Sequence, residues 1–148
     1  MAAEQAFLAQ NRASRQRFQD LLAQATEETM ARRLPNGWSV GAALAHIAFW
    51  DRWVLARWDQ YDRDGEIMDL PDGVADLGNA AGIAEWQILS PAQVSELVRS
   101  SAEAVDRRIA ALSPAAVEHA QSTDRPAMLD RSIHRDPHLD EIDRLLAR

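Results

Sequence analysis

Positions three and four residues apart form one inward stripe along residues 2–34, and neither glycine nor proline interrupts this stretch. Such spacing places the side chains on one face of an α-helix, so one long first helix is predicted. Pro35-Asn36-Gly37 then ends it. The stripe consists of Phe7, Asn11, Ser14, Phe18, Leu21, Ala25 and Thr29.

Serine caps predict the start of the next two helices. Ser39 is placed to accept a hydrogen bond from an early backbone N–H, and the second helix should run to about Asp62. Ser90-Pro91-Ala92-Gln93 combines an N-cap serine, a proline at the first helical position and a glutamine that can close a capping box. The inward face of this third helix consists of Val94, Leu97, Val98, Ser101, Val105, Ile109 and Leu112.

The remaining segments are shorter or less regular. Residues 63–89 mix Asp, Gly and Pro with short apolar pieces, which indicates a long connection containing a helical turn at about residues 80–87. Ser113-Pro114 repeats the start signal for a short helix through about Ala120. The pattern of a last helix consists of Leu139, Ile142, Leu145 and Leu146.

These patterns predict an all-α fold. Four principal helices, one long connection between the second and the third, and no alternating strand pattern indicate an antiparallel four-helix bundle. A chain of 148 residues is expected to form a single domain over residues 1–148. Because such bundles build ligand and metal sites in their interior, function is expected on the inward faces.

Composition excludes several partners and chemistries. Sixteen basic and 23 acidic residues leave a net charge of −7, so neither a nucleic-acid partner nor an anionic membrane surface is expected. Every basic residue is an arginine and cysteine is absent, which excludes lysine Schiff bases, thiolate nucleophiles and cysteine-bound zinc. The apolar run at residues 41–50 is far shorter than a membrane span and residues 1–5 carry no leader pattern, so a cytoplasmic protein is expected.

Histidine spacing provides the only lead to chemistry. His134 and His138 are four residues apart, which puts both imidazoles on one side of a helix if the helix continues through them. His46 lies in the middle of the most apolar helix and is expected to point inward. Taken alone, an inward histidine is more often a hydrogen-bonded core residue, but three neutral imidazoles together suit Zn, Ni, Fe or Cu and leave open positions for water or substrate.

Two motifs resemble those of the DinB-like superfamily. The first is Gly37-Trp38-Ser39-Val40 followed by Leu44-Ala45-His46-Ile47-Ala48-Phe49-Trp50-Asp51, and the second is His134-x-x-x-His138-Leu139-x-Glu141-Ile142. That superfamily includes the metal-dependent hydrolases of the YfiT type, the N-terminal domain of mycothiol-dependent maleylpyruvate isomerases and the bacillithiol transferases.

The resemblance implies a four-helix bundle with up-down-down-up connectivity, often assembled as a homodimer. It also implies one divalent ion bound by a histidine of the second helix and two of the last. Those roles fall on His46, His134 and His138. His119 matches no ligand position and is interpreted as a structural histidine.

Pro137 departs from this pattern because it lies between the two terminal histidines. Proline removes a backbone N–H and biases the preceding residue away from helical geometry, so the last helix either kinks or starts here. If Asp136 caps a helix starting at Pro137, His134 precedes the helix and the one-turn geometry is lost. Asp136 or Asp130 would then substitute for it as a ligand.

Four further residues are candidates for a substrate pocket. They are Asn11, Arg15, Trp50 and Trp53. The tryptophans, with Trp58 and Trp86, could wall an apolar pocket or simply fill a core or a dimer seam. Asn11 and Arg15 interrupt the apolar stripe of the first helix and could reach a ligand or the metal's neighbours. Alternatively, the asparagine bonds a neighbouring group and the arginine extends to water.

The expected function is that of a metal-dependent enzyme acting on a small-molecule substrate. Its Zn²⁺, Ni²⁺ or Fe²⁺ would activate a water for hydrolysis, or an external low-molecular-weight thiol for S-transfer or isomerisation. No catalytic serine triad, phosphate-binding loop or dinucleotide fingerprint offers another route. The alternative is a non-catalytic bundle that binds a small ligand or a protein, with structural histidines.

Overall fold

The computed structural model describes residues 4–148. All the secondary-structure elements in this range are helices. The predicted all-α class is therefore confirmed. Residues 2 and 3 of the predicted first helix lie outside the described residues. The elements are α1 (Ala6–Gln24), α2 (Glu27–Ala31), α3 (Val40–Asp64), α4 (Val74–Trp86), α5 (Pro91–Ala110), α6 (Pro114–Ser122), a 3-10 turn (Pro126–Met128) and α7 (Ser132–Leu146).

The first helix is shorter than its stripe predicts. Ala25 is extended, and Thr26 starts α2 through a reciprocal pair of side-chain hydrogen bonds with Thr29. The Thr29 N–H donates to the Thr26 hydroxyl at 3.1 Å, and the Thr26 N–H donates to the Thr29 hydroxyl at 2.8 Å. The prediction of one helix to residue 34 is wrong beyond Gln24, because these local bonds give the backbone an alternative to continuing the helix.

Helix α3 is the central element. The Ser39 hydroxyl accepts from the Ala42 N–H at 3.0 Å, as predicted, and Gly65 ends the helix at a φ of 75°. All nine residues from 40 to 48 are buried, because this helix is covered on several sides. Glycine and alanine make up five of those nine residues and allow neighbouring helices to approach closely.

The long connection contains a full helix, α4, rather than the single turn predicted at residues 80–87. The prediction failed because the glycines of this segment were interpreted as breakers. A Cβ at Gly82 would lie 2.3 Å from the ring of Trp86, and one at Gly78 would lie 3.7 Å from the ring of Trp50. These glycines therefore accommodate indole rings that pack against the helix.

Helix α7 starts before its proline. Ser132 is its first residue, and the Ser132 N–H donates to the Asp130 carboxylate at 3.0 Å. Pro137 is the sixth residue of the helix, so it removes only the hydrogen bond to the carbonyl of Ile133. The alternative in which the helix begins at Pro137 is wrong, and both terminal histidines lie on one helix.

The four longest helices pack as a closed ring. Helix α1 contacts α5 and α7, and α3 contacts the same two helices from the other side. Helix α4 packs on α3, next to the start of the bundle's most apolar segment. The antiparallel order of the four helices stays a prediction. In the part of the chain that the structure describes, no helix is long and apolar enough to cross a membrane.

Candidate metal centre

Two helices bring three histidines together. His46 projects from the buried face of α3 and is only 4% exposed. His134 and His138 follow each other by one turn on α7 and are partly buried. Because α7 packs against α3, all three imidazoles meet between these helices. We call them the three-histidine cluster.

The rings of the three-histidine cluster form a nearly equilateral triangle. The ring centroids of His46 and His134 are 5.1 Å apart, and each lies 4.9 Å from that of His138. The Nε2 atoms of His46 and His134 face each other at 3.2 Å. One nitrogen from each ring lies within 4.8 Å of the others, so the three could bind a single ion.

Burial keeps these imidazoles neutral. It lowers the pKa of His46 to about 4, with a further contribution from the nearby His138. Burial also lowers the pKa of His134 to about 2, and the positive charge of Arg131 adds to this effect. The pKa of His138 is lowered as well, again by burial. Neutral imidazole has the free lone pair that a metal ion requires.

The three-histidine cluster fits a divalent first-row metal ion. Two imidazole nitrogens bound to one ion at about 2.0–2.1 Å would be roughly 3.3 Å apart at a tetrahedral angle, close to the 3.2 Å between the two facing Nε2 atoms. The Nδ1 atoms of His46 and His134 are buried and have no hydrogen-bond partner among residues 4–148. Because the facing Nε2 atoms would bind the ion, these Nδ1 atoms would carry the imidazole protons.

A buried ion-pair network lies directly behind the cluster. Asp51, five residues after His46 on α3, is 1% exposed and accepts hydrogen bonds from two arginines that flank His134. Arg131 Nε donates to Asp51 Oδ1 at 2.9 Å, and Arg135 donates to Oδ2 from Nε at 3.0 Å and from Nη2 at 2.9 Å. The carboxylate therefore ties the first turn of α7 to α3 and neutralises positive charge next to the histidines.

The same network continues to the first and third helices of the ring. Arg135 is fully buried and also donates to Asp106 of α5 at 2.9 Å, and Arg15 of α1 pairs with that carboxylate at 2.8 Å. Asn11 donates to the carbonyl of Leu129 at 2.8 Å and accepts from the backbone N–H of Arg131 at 2.7 Å. These contacts fix the segment that leads into α7.

A cavity of about 570 Å³ opens at the three-histidine cluster, and all three histidines line it. We call it the histidine cavity. Its volume is within the range of small-molecule sites. The indole N–H of Trp50 donates to the side-chain oxygen of Asn79 at 2.8 Å, which joins α3 to α4 at the wall. The other wall residues are Asn36, Trp38, Trp53, Val54, Arg57, Leu70, Ala75, Ala127, Met128 and Arg131.

The candidate pocket residues divide into two groups. Trp50 and Trp53 line the histidine cavity. Asn11 and Arg15 do not; they line a separate groove between α1 and α5 and take part in the ion-pair network. For Asn11 the structure shows bonds to neighbouring backbone groups. Arg15 is paired with Asp106 rather than extended alone into water.

The remaining candidate residues lie elsewhere. Trp58 is fully buried in the core and donates to the carbonyl of Met128, and Trp86 packs against the ring of His46 without lining the cavity. Asp130 and Asp136 are not members of the metal-capable group. The ring of His119 packs against Tyr61 and accepts from the backbone N–H of Ile67, and His119 belongs neither to the three-histidine cluster nor to the lining of the histidine cavity.

Three residues at this site were not among the candidates predicted from the sequence. Asp51 carries a signal in the sequence, since an acid in an apolar helix needs a cationic partner and Arg131 and Arg135 are one turn apart. Arg57 shares a helix face with His46, but that spacing does not by itself indicate a role. Asn79 had no signal, because its segment was interpreted as a connection.

Comparison with known proteins identifies a family. Residues 10–131 match the model of the DinB superfamily. The matched range includes His46 and ends before His134 and His138, so the last helix is assigned to the site by geometry and not by this match. No curated protein and no solved structure matches the chain.

Proposed function

The chain belongs to the DinB superfamily, and from this premise we propose that it is a divalent-metal-dependent enzyme. The enzyme would act on a small molecule in the histidine cavity, with His46, His134 and His138 holding the ion. The observation that carries this proposal is the convergence of three neutral imidazoles at the wall of a cavity of substrate size.

The nucleophile of the proposed reaction comes from outside the chain. No serine, threonine, tyrosine, lysine or carboxylate lines the histidine cavity among the described residues, and the sequence contains no cysteine. A bound divalent ion would supply a Lewis acid that lowers the pKa of a water molecule or a thiol at an open position. The chemistry is therefore hydrolysis with water, or S-transfer or isomerisation with a low-molecular-weight thiol.

The chain's own residues would bind and shield the substrate. The indoles of Trp50 and Trp53 form an apolar wall next to His46 and reduce the access of bulk water. Asn79, fixed by its hydrogen bond to Trp50, offers an amide group to the substrate. Asp51 would act as a positioning residue that keeps His134 in place through Arg131 and Arg135.

A thiol-consumption screen tests the proposed function. Tag-free protein loaded with Zn²⁺, Ni²⁺ or Fe²⁺ would be incubated with mycothiol, bacillithiol or glutathione and a panel of electrophiles, and with ester and amide substrates for hydrolysis. We expect turnover that chelation removes, that His46→Ala abolishes and that His119→Gln retains. The His119 variant is the matched control, because this histidine lies outside the cluster.

The competing function is a binding module with structural histidines. A binding module would show saturable ligand binding in the histidine cavity that survives chelation. The metal-loaded protein would then show no turnover with any of the thiols. That result would contradict the enzyme proposal and favour the binding module.

A further inference from the structure

The histidine cavity has a charge opposite to that of the whole protein. The chain carries a net charge of −7, yet no carboxylate lines this cavity within residues 4–148. Two arginines do line it, Arg57 and Arg131. Arg131 is paired with Asp51, so the cation of the wall without a carboxylate partner among the described residues is Arg57.

Arg57 is half-buried without a carboxylate partner. Its guanidinium donates to the backbone carbonyl of Met68 and forms no ion pair among the described residues. Asp69 lies close enough to raise the pKa of Arg57, but its carboxylate is paired with Arg125. Burial lowers the pKa of Arg57, and the charges of Arg125 and Arg131 add to this effect and outweigh the opposing charge of Asp69. A guanidinium has five N–H donors, so most of them remain available to a ligand.

A second unused donor lies one turn before Arg57. The indole Nε1 of Trp53 is buried and has no hydrogen-bond partner among the described residues, whereas that of Trp50 is satisfied by Asn79. Trp53 and Arg57 are four residues apart on α3 and therefore share one face. An indole N–H in such a position usually has an acceptor.

A stretch of α3 separates Arg57 from the three-histidine cluster. Arg57 follows His46 by eleven residues on α3, which is roughly 16 Å along a helix axis. The wall residues other than the histidines and arginines are mostly apolar and include Trp38, Trp50, Val54, Leu70 and Met128, with Asn36 and Asn79 as the polar exceptions. The cavity thus has a cation and a histidine cluster that are separated along α3 and share a largely apolar wall.

We propose that the substrate is an organic carboxylate with an apolar body the size of an aromatic ring. Its carboxylate pairs with Arg57 and accepts a hydrogen bond from the indole N–H of Trp53, and its reactive part extends towards the three histidines. One guanidinium and one indole donor match the two oxygens of a carboxylate. This inference rests on the proposed function for the reaction, but the recognition itself needs only the cavity.

Matched acids and amides test the proposal. Isothermal titration calorimetry would compare phenylacetate, 3-phenylpropanoate and hexanoate with their primary amides, first on chelator-treated protein and then on metal-loaded protein. We expect the best acid to bind about tenfold or more tightly than its amide in both forms, because a charge-assisted hydrogen bond is lost with the amide. Arg57→Gln should remove this preference, and Trp53→Phe should reduce it several-fold.

Arg63→Gln is the control for charge, since this exposed arginine lies near the end of the same helix and outside the cavity. It should leave the acid preference unchanged, and circular dichroism would verify the folding of each variant.

The proposal is overturned if acids bind no better than amides, if neither binds, or if the preference survives Arg57→Gln. A preference that disappears on chelation and is unaffected by Arg57→Gln would show that the carboxylate is only a metal ligand. Loss of metal binding or turnover with the preference intact would instead count against the proposed function alone.

Discussion

At the scale of single residues, burial determines the chemistry of the histidines. The environment that excludes water from His46 and His134 lowers both pKa values and keeps the imidazoles neutral. Neutral imidazoles can bind a metal at physiological pH without first losing a proton. In the absence of an ion, the same burial has a cost to stability in acid.

This cost gives a prediction for metal-free protein. The pKa of His46 falls from 6.5 to about 4, so below pH 6.5 the unfolded state binds a proton that the folded state does not. Stability is therefore complete above pH 6.5 and lost as the pH falls towards 4. We expect His46 alone to contribute a decrease of roughly 1–2 kcal/mol in the free energy of unfolding between neutral pH and about pH 5, after allowance for solvent screening, with His134 and His138 acting in the same direction.

Urea unfolding of chelator-treated protein across this pH range measures the effect, and His46→Ala should have a shallower pH dependence than the wild type. Equal slopes for the two proteins would contradict the assignment.

Asn11 provides a second test at this scale. Its side chain satisfies the carbonyl of Leu129 and the N–H of Arg131, both in the buried segment that leads into α7. Asn11→Ala leaves these groups unpaired and should decrease the free energy of unfolding by roughly 2–3 kcal/mol. Gln16→Ala, at an exposed position on the same helix, should change it by less than about 0.5 kcal/mol. Similar values for the two variants in denaturant unfolding would refute this role for Asn11.

At the scale of elements, buried charge positions the start of α7, and Leu139 and Ile142 anchor the rest of the helix in the core. Arg131 and Arg135 flank His134, and both donate to Asp51 of α3. The placement of His134 opposite His46 therefore depends on a carboxylate that touches neither ring. Buried ion pairs of this kind cost free energy to desolvate, but removal of one partner leaves uncompensated charge and is strongly destabilising.

Asp51→Asn tests this dependence. The variant keeps the size of the side chain but removes the charge that two buried guanidiniums share. We expect a loss of roughly 3 kcal/mol in the free energy of unfolding. We also expect a 10- to 100-fold weaker affinity for Zn²⁺ in a competition assay with a chromophoric chelator. Asp59→Asn, an exposed acid on the same helix, should leave both values nearly unchanged. Unchanged metal affinity in folded Asp51→Asn would disprove the positioning role.

Elements with explicit start signals were predictable from the sequence. Ser39, Ser90 and Ser113 each cap a helix through the hydrogen bond that their position predicts. The errors arose at residues whose local pattern is compatible with more than one structure. Gly78 and Gly82 are helical residues that leave room for indole rings packed against α4. Thr26 starts a new helix within an unbroken apolar stripe. Local pattern does not distinguish these uses from a breaker or from an ordinary helical residue.

At the scale of the whole molecule, the all-α fold was predictable because helical spacing and serine caps recur along the chain, and the family was predictable from the motifs around His46 and the last two histidines. The meeting of His46 with His134 joins positions 88 residues apart and was expected only from the resemblance. Arg57 and Asp51 acquire their roles from the packing of α3 against its neighbours, which no spacing along one helix reveals. The homodimer also stays a prediction, and analytical ultracentrifugation would check it.

The central claim is that the three-histidine cluster holds one divalent metal ion. Inductively coupled plasma mass spectrometry on tag-free protein, as purified and after loading with Zn²⁺ or Ni²⁺, tests it most directly. We predict about one ion per chain in the wild type and in His119→Gln, and loss of that ion in His46→Ala and His138→Ala. Wild-type protein that binds no ion after loading, or His46→Ala that binds as much as the wild type, would contradict this account.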